Sequence, residues 1–358
     1  MTEQAAELAA LRDRCTRFFH GHGRATAASM LATIPPGTVL DNYGDGGVVA
    51  ELEAEIGRLL GKPAAVFMPS GVMAQQAVLR VHADARHRRS VVFHPMCHLE
   101  QHEEQGYQRL HGLIGRPAGG RDRLITLADL TAIAERPAVL LLELPQRDLG
   151  GQQPDWDDLV AQIGWARERD AATHLDGARL WESAAGYGRT PAEISALFDT
   201  VYVSFYKGIG ALAGCCAAGP HDVIAEVREW RRRMGGTLYG LWPGAASALS
   251  CLGARLPNFP VYLEHARAIA AALAAVPSVV VIPDPPQVPM MHLLLKASRD
   301  EYARAARRLA EESGIWTSPA PMATADPNVQ RLELSVGDAT LEFTPDELAG
   351  IFAGLTGC

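Results

Sequence analysis

Short apolar runs alternate with amphipathic segments between residues 64 and 220 of this 358-residue chain. The run at 138–144, AVLLLEL, is apolar at nearly consecutive positions, which is typical of a strand buried on both faces of a parallel sheet. Helix-start signals lie between the runs, such as the capping box that Thr190 and Glu193 form around Pro191. This alternation predicts a doubly wound α/β domain. The other strand-like runs lie at 64–68, 90–94, 172–176, 200–205 and 213–218.

Both ends of the chain depart from this alternation. Residues 1–45 contain one helical pattern followed by stretches rich in glycine and proline, which predicts an N-terminal arm. After residue 245, two helical patterns precede three strand-like runs with helices between and after them, which predicts a small α+β domain. The sequence therefore divides into an arm at 1–45, a large domain at 46–245 and a small domain at 246–358.

Composition and charge narrow the function class. The chain is 48% hydrophobic and 21% charged, which is ordinary for a globular protein and excludes a disordered chain or a coiled coil. A net charge of −8 argues against a nucleic-acid partner, which would need a basic face. No apolar run reaches the roughly 18 residues of a membrane span, and the first residues lack the pattern of a secretory signal. We therefore expect a cytoplasmic protein with no membrane partner and with reduced, scattered cysteines.

Lysine is scarce in this chain. Only three of the 33 basic residues are lysine, at positions 62, 207 and 296. Unlike arginine, lysine can lose its proton and react as an amine nucleophile, so each remaining lysine is a candidate for chemistry. Lys207 is the strongest candidate, because it ends a strand-like run and precedes the uncharged stretch ALAGCCAAGP. Apolar surroundings lower the pKa of a lysine and free its amine.

Three strand ends carry a matching set of groups. Ligands of open α/β sheets bind at the carboxyl ends of the strands. The first run ends in Ser70, Gly71 and Val72, a turn that opens a helix and offers free N–H groups to a phosphate. Another run ends in Asp176, and a third is followed by Lys207. Together these groups match the needs of pyridoxal 5'-phosphate, which takes a lysine on its aldehyde, a carboxylate on its pyridine nitrogen and a phosphate cradle.

The same segments resemble the threonine aldolase and β-eliminating lyase family of fold-type-I pyridoxal-phosphate enzymes. The resemblance runs from about residue 41 to 252. It is most specific at HLDGARLW (174–181) and SFYKGIGALAG (204–214). The other similar stretches are Tyr43-Gly44 with Leu52-Glu53, FMPSGVMAQQ (67–76), Cys97-His98 with Glu103, Glu143 with Gly150-Gly151, and Met234-Gly235-Gly236.

This resemblance implies a fold, a site and an assembly. The fold would be an aspartate-aminotransferase-like large domain with a mostly parallel sheet and a small C-terminal α+β domain. The protein would be a homodimer or homotetramer that acts on a small amino-acid substrate and binds no metal. For the cofactor, the resemblance implies Lys207 as Schiff-base lysine, Asp176 as partner of the pyridine nitrogen, His98 stacked on the ring, and Ser70, Gly71 and Val72 at the phosphate. For the substrate, it implies Arg179 and Arg331 at the carboxylate. Arg232 would reach the cofactor phosphate of the neighbouring subunit.

The departures from the family pattern lie on the substrate side. Val72 replaces a usual threonine, and Tyr206 replaces a common serine before the lysine. The loop after Glu143 reads Leu-Pro-Gln-Arg instead of Asn-Thr-His-Asn, and a histidine often found near the substrate hydroxyl has no counterpart. These changes predict a β-hydroxy-α-amino acid that is larger or less polar than threonine.

The reaction implied is cleavage of such an amino acid to glycine and an aldehyde. β-Elimination, another reaction at Cα such as transamination or racemisation, and a non-enzymatic cofactor binder remain as alternatives, because all begin with the same bound cofactor. A base for the β-hydroxyl could be His98 or a water held by Glu103. His98 and His102 are four residues apart, but neither HExxH nor HxxEH is present, so no metal is expected.

Overall fold

The computed structural model describes residues 3–317 and 321–357, which form two compact units. One unit is Thr26–Pro257, and the other combines Met1–Ala25 with Asn258–Cys358. The strands are β1 (Arg17–Phe18), β2 (Ala64–Met68), β3 (Ser90–Phe93), β4 (Ile114–Pro117), β5 (Val139–Glu143), β6 (Ala172–Gly177), β7 (Thr200–Ser204), β8 (Cys215–Gly219), β9 (Val279–Ile282), β10 (Met290–Lys296), β11 (Ile315–Trp316), β12 (Met322–Ala323) and β13 (Val329–Ser335).

The α-helices follow and separate these strands. They are α1 (Glu3–Arg14), α2 (Ala27–Leu31), α3 (Gly47–Leu60), α4 (Gly71–Ala85), α5 (His98–Gln101), α6 (Gly106–Arg109), α7 (Leu127–Thr131), α8 (Trp156–Glu168), α9 (Leu180–Tyr187), α10 (Pro191–Ser195), α11 (His221–Arg233), α12 (Trp242–Arg255), α13 (Phe259–Leu273), α14 (Arg299–Ser313) and α15 (Pro345–Thr356). No helix in the described ranges is long and apolar enough to cross a membrane.

A seven-stranded sheet forms the centre of the unit Thr26–Pro257. Its strand order is β2-β8-β7-β6-β5-β3-β4, and only β8 runs antiparallel to its neighbours. The first four residues of β5 are buried, as the apolar run predicts for a strand covered on both faces. The mostly parallel α/β sheet confirms the predicted fold class.

Helix starts fall where the local sequence places them. The Thr190 hydroxyl accepts the Glu193 N–H, and the Glu193 carboxylate returns to the Thr190 N–H, so the predicted capping box is present at α10. Helix α4 packs its small residues on the sheet, where Ala74, Ala77 and Val78 are fully buried. That packing fixes the start of α4 beside the carboxyl ends of the central strands.

The other unit contains a four-stranded antiparallel sheet in the order β12-β13-β10-β9 and a parallel pair of β1 with β11. The first 25 residues belong to this unit. Arg17 forms an ion pair with Glu347, and the Gly21 N–H donates to the Ser335 carbonyl at 2.8 Å. These contacts join the N-terminal segment to the C-terminal hundred residues.

The unit boundaries at 25/26 and 257/258 differ from the predicted ranges 1–45, 46–245 and 246–358. Asp41 is the physical reason on the N-terminal side. Its buried carboxylate accepts the N–H groups of Leu241 at 2.8 Å and Trp242 at 2.7 Å, so it caps the start of α12. Residues 26–45 and helix α12 therefore belong to the unit with the large sheet.

Candidate active site

The large sheet brings the predicted strand ends to one edge. In the ladder, Glu143 of β5 pairs with Asp176 of β6, and Asp176 pairs with Tyr202 of β7. Lys207 follows β7 by three residues. The end of β2 joins the same edge through β8, since Cys215 pairs with both Met68 and Ser204. Ser70, Gly71, Asp176 and Lys207 are therefore gathered where the sequence predicts a ligand site.

The start of α4 leaves its hydrogen-bond donors available. Ser70 is the N-cap residue, but its hydroxyl makes no capping hydrogen bond, and no acidic residue lies in the first turn. The buried Ser204 hydroxyl lies at the end of β7, beside Tyr206. Unsatisfied donors at the positive end of a helix dipole suit a phosphate. The residues present thus fit the phosphate of the predicted cofactor.

Lys207 and Asp176 lie close together at this edge. Asp176 is 2% exposed, and its Oδ1 accepts the Ala178 N–H at 3.1 Å. Burial lowers the pKa of the half-buried Lys207 amine, and the Asp176 carboxylate opposes that shift. A lowered pKa raises the fraction of free amine at neutral pH, which an aldehyde requires. Both groups therefore fit a cofactor with an aldehyde and a pyridine nitrogen.

His98 is held at the first position of α5 by two carboxylates. Its Nδ1 lies 3.1 Å from Glu103 Oε1, and its main-chain N–H donates to Glu143 Oε2 at 2.9 Å. The Glu103 side chain is 1% exposed, and its Oε2 accepts the Gln76 amide at 3.0 Å. The hydrogen bond to the Glu103 carboxylate raises the pKa of His98, although burial opposes it. The ring is thus fixed in place with one nitrogen engaged.

His98 and His102 are neighbours that contact different carboxylates. Their rings are 5.2 Å apart, but the His102 Nε2 pairs with Asp148 at 3.1 Å, while His98 pairs with Glu103. No cluster of three or more metal-ligating side chains occurs within the described ranges.

Glu143, at the end of β5, is a partly buried acidic group for which the sequence alone predicts no role. Burial, with a contribution from the nearby Asp176 charge, raises its pKa to about 7. Its carboxylate accepts the main-chain N–H groups of His98 and Arg147, and also the Gln146 side-chain amide at 3.3 Å. Glu143 therefore ties the loop after β5 to the start of α5. The one polar position in an otherwise apolar strand, AVLLLEL, is the signal that could have identified it.

Arg179 is the N-cap residue of α9, and Glu182 lies on the first turn of that helix. Arg179 Nη1 is 3.5 Å from Glu182 Oε1, and both side chains are nearly buried. Burial raises the pKa of Glu182, while the Arg179 guanidinium opposes that shift. A side chain at Gly208 would overlap the Glu182 carboxylate, so Glu182 lies directly against the residue after Lys207. Sequence reasoning missed Glu182, because its closeness to Gly208 comes from tertiary structure.

The two other predicted arginines lie on β13 and α11. Arg331 lies on β13 in the other unit, where its guanidinium contacts the Met322 sulfur at 3.4 Å. Arg232 is exposed in the last turn of α11, whereas its neighbour Arg231 is buried and donates to the Phe67 carbonyl at 2.9 Å. The exposure of Arg232 leaves it accessible to another molecule.

Comparison with known proteins places the chain among lyases. Residues 22–297 match the profile of a family described as β-eliminating lyase. The aldolase vrtJ of Penicillium aethiopicum is 32% identical over 251 residues, which cover 67% of this chain and 63% of the vrtJ chain. The chain thus aligns with less than two thirds of that relative's length.

Two solved structures match nearly the whole chain. One is a candidate L-allo-threonine aldolase of Listeria monocytogenes, with a TM-score of 0.92 and 35% identity. The other is a candidate aromatic amino acid β-eliminating lyase/threonine aldolase of Exiguobacterium sp., with a TM-score of 0.91 and 36% identity. Each alignment covers 98% of this chain and 99% of the solved chain.

Proposed function

Because the chain belongs to the β-eliminating lyase family, we propose that it is a pyridoxal-phosphate-dependent lyase that cleaves a β-hydroxy-α-amino acid to glycine and an aldehyde. The observation that carries the proposal is the meeting of Lys207, Asp176 and the uncapped start of α4 at one sheet edge. Both solved relatives that match the whole chain carry threonine aldolase in their descriptions.

Each part of the cofactor has a matching residue. Lys207 would hold the aldehyde, Asp176 the pyridine nitrogen, and Ser70, Gly71 and Val72 the phosphate, with His98 over the ring. Pyridoxal phosphate, when bound, accepts the electron pair released at Cα. The buried Asp176 carboxylate can keep the pyridine nitrogen protonated, because a nearby negative charge favours the charged form of a base.

The remaining groups serve the substrate. The Arg179 guanidinium would bind the α-carboxylate, since a planar guanidinium matches that anion, and Arg331 is a second candidate. His98, with its ring held at Nδ1 by Glu103, can take the proton of the β-hydroxyl. Gln146 stands where the family pattern has a histidine. Its amide donates to the Met96 carbonyl and to Glu143, and an amide cannot act as a base at neutral pH. His98 is therefore the proposed base.

The product formed from β-hydroxy amino acids tests this function. We expect glycine and an aldehyde from phenylserine, with kcat/KM at least about tenfold higher than for threonine or allo-threonine. The aryl group adds apolar area to bury, and differences of this kind are worth about 1–3 kcal/mol. Aldehyde release and glycine formation are measured for all three amino acids under identical conditions.

Other products would favour the alternatives. Ammonia with a 2-oxo acid would indicate β-elimination, and inversion at Cα without cleavage would indicate racemisation. Bound cofactor without turnover of any of the three would indicate a binding protein. Threonine as the best substrate would overturn the preference for a larger side chain while leaving the aldolase reaction in place.

We also propose that the protein is a homodimer or homotetramer. The unit Thr26–Pro257 exposes apolar side chains in two segments that are joined by a hydrogen bond from the Tyr43 N–H to the Tyr239 carbonyl at 2.9 Å. Such patches support an interface with another molecule. The exposed members of these segments are Leu31, Val39, Leu40, Tyr43, Leu238 and Tyr239. The exposed Arg232 would then be available to a phosphate of the neighbouring subunit.

Charge placed in this patch tests the assembly. Tyr239 is 76% exposed, so Tyr239→Asp can be tolerated by the isolated chain but would put a carboxylate into the interface. We expect light scattering to show a monomer that has lost most of its activity. Val160→Asp, at an exposed apolar position of α8, is the matched control and should leave the assembly unchanged. An unaltered protein that is monomeric and active would contradict the proposal.

The proposed location is the cytoplasm. The five cysteines in the described ranges are free and buried, which is consistent with a reducing compartment. Fractionation of the producing cells tests this location.

A further inference from the structure

Glu182 is a buried acidic residue beside two cationic groups of the candidate site. It is the third residue of α9, and its side chain is 4% exposed. Burial raises the pKa of its carboxyl group, whereas the nearby charges of Arg179 and Lys207 oppose that shift. A buried carboxylate is costly unless it faces positive charge or hydrogen-bond donors. The two cations therefore compensate the charge that Glu182 places in the interior.

The Glu182 carboxylate is packed between two groups of the site. Its Oε1 lies 3.5 Å from Nη1 of Arg179, the N-cap residue of the same helix. On another side, a β-carbon at Gly208 would overlap both Oε1 and Cδ of Glu182. A glycine at this position thus leaves the space that the carboxylate occupies. Glu182 is therefore held between the Arg179 guanidinium and the main chain that follows Lys207.

The contact with Glu182 is compatible with a substrate on Arg179. A guanidinium has five N–H donors in a planar fork, so a contact at Nη1 leaves the geometry for two parallel hydrogen bonds from other N–H groups to a second carboxylate. Arginine also has a long side chain, and fixing it when a ligand binds costs conformational entropy. A partner inside the protein lowers that cost, because it orients the guanidinium before the ligand arrives.

We propose that Glu182 is a positioning residue that holds the Arg179 guanidinium in the orientation that receives the α-carboxylate of the amino-acid substrate. This assignment rests on the proposed function, because it takes Arg179 as the carboxylate-binding residue of an amino-acid lyase. Glu182 itself touches neither substrate nor cofactor, and its effect on affinity passes through Arg179.

The test compares two ligands that differ in the carboxylate, phenylalanine and 2-phenylethylamine, on protein loaded with pyridoxal phosphate. Neither ligand has the β-hydroxyl that cleavage requires, so binding is followed by the change in cofactor absorbance. Glu182→Ala should raise the Kd of phenylalanine about tenfold, or about 1.4 kcal/mol, which is within the range for a hydrogen bond to a charged group. The Kd of 2-phenylethylamine should not change.

Glu182→Gln is a second variant that preserves the shape of the side chain and keeps an oxygen acceptor for Arg179. A charge-assisted hydrogen bond is about twice as strong as a neutral one, so the Kd of phenylalanine should rise by only about threefold. The control is Glu193→Gln on α10, where an exposed glutamate lies at the same 3.5 Å from Arg189. It should leave the Kd values of both ligands unchanged.

A double-mutant cycle shows whether the effect passes through Arg179. Arg179→Ala alone should raise the Kd of phenylalanine, and adding Glu182→Gln to it should raise that Kd no further. A further threefold loss in the double variant would show that Glu182 acts independently of Arg179, and would overturn the assignment.

Three results with the single Glu182 variants would also contradict the assignment. Equal weakening of both ligands would indicate a general disturbance of the cofactor site. Tighter binding of phenylalanine would indicate that Glu182 competes with the substrate for Arg179. An unchanged Kd of phenylalanine would show that Arg179 does not depend on Glu182 for its position.

The same measurements separate this inference from the proposed function. If neither ligand changes the cofactor absorbance of the unaltered protein, the proposed function fails and the role of Glu182 fails with it. If the loss is selective for phenylalanine but no β-hydroxy amino acid yields an aldehyde, the role of Glu182 stands and only the proposed reaction is wrong.

Discussion

Lys207→Ala should abolish the absorbance of the lysine-bound cofactor near ~420 nm and lower aldehyde release by about 10³-fold or more. Lys207 is the lysine at the edge where Asp176 and the α4 start meet, and burial lowers the pKa of its amine. Lys62 cannot replace Lys207. Lys62 lies in the turn before β2, where its ammonium donates a hydrogen bond to the Phe198 carbonyl. Absorbance spectra of purified protein and the rate of aldehyde release measure both effects.

The matched control is Lys296→Ala. Lys296 is exposed and donates to the Pro277 carbonyl, so both spectrum and rate should be retained. Borohydride reduction followed by peptide mapping should label the peptide that contains Lys207 in the unaltered protein. A borohydride-reducible adduct that persists in Lys207→Ala would show that another amine holds the cofactor.

Local sequence patterns predict the strands and helix starts well in this chain. The apolar run around β5 predicts a strand that is covered on both faces, because such burial removes the alternation of polar and apolar residues. The box at Thr190 reads as a helix start because its hydrogen bonds join residues only three apart. The fold class follows from the order of such elements, and the site edge follows because ligands bind where parallel strands end.

Tertiary contacts account for what sequence reasoning missed. Glu182 and Tyr202 lie against Gly208 and Gly71, and no local spacing encodes the closeness of either pair. The split of the N-terminal arm at residue 25 has the same origin. Asp41 caps a helix that begins 201 positions later, so residues 26–45 join the large sheet while the preceding segment joins the C-terminal residues. Long-range hydrogen bonds of this kind leave no periodic signal in the chain.

The electrostatics of the edge explain why several acidic groups can lie together there. Glu143 and Asp176 are ladder partners, and their repulsion and burial raise the pKa of Glu143 to about 7. Positive charge lies close to these two carboxylates, on Lys207, Arg147 and Arg179. The two guanidinium groups are near enough to Lys207 that both contribute to lowering its pKa. The edge thus holds opposite charges away from bulk water, where their interactions are stronger than at a surface.

His98→Phe should retain bound cofactor and lower the cleavage rate by about 10²–10⁴-fold, the usual contribution of a general base. Phenylalanine keeps a flat ring over the cofactor but cannot take a proton. If His98 only stacks, the variant should keep most of its activity, so the spectrum and the rate together separate the two roles. Cleavage of phenylserine and the cofactor absorbance are measured on the same preparation.

The pH dependence gives an independent check through Glu103→Gln. A base must be unprotonated to act, so the rate should rise with pH through the pKa of His98, which the hydrogen bond to Glu103 raises in the unaltered protein. Replacing the carboxylate with an amide removes that stabilisation of the protonated ring, while the lowering by burial remains. The acid limb of the kcat profile should therefore move to lower pH in Glu103→Gln.

Glu55→Gln is the control, because Glu55 pairs only with Arg58 on α3 among the described contacts and should leave the profile in place. A limb that does not move in Glu103→Gln would mean that the pKa of His98 does not control cleavage.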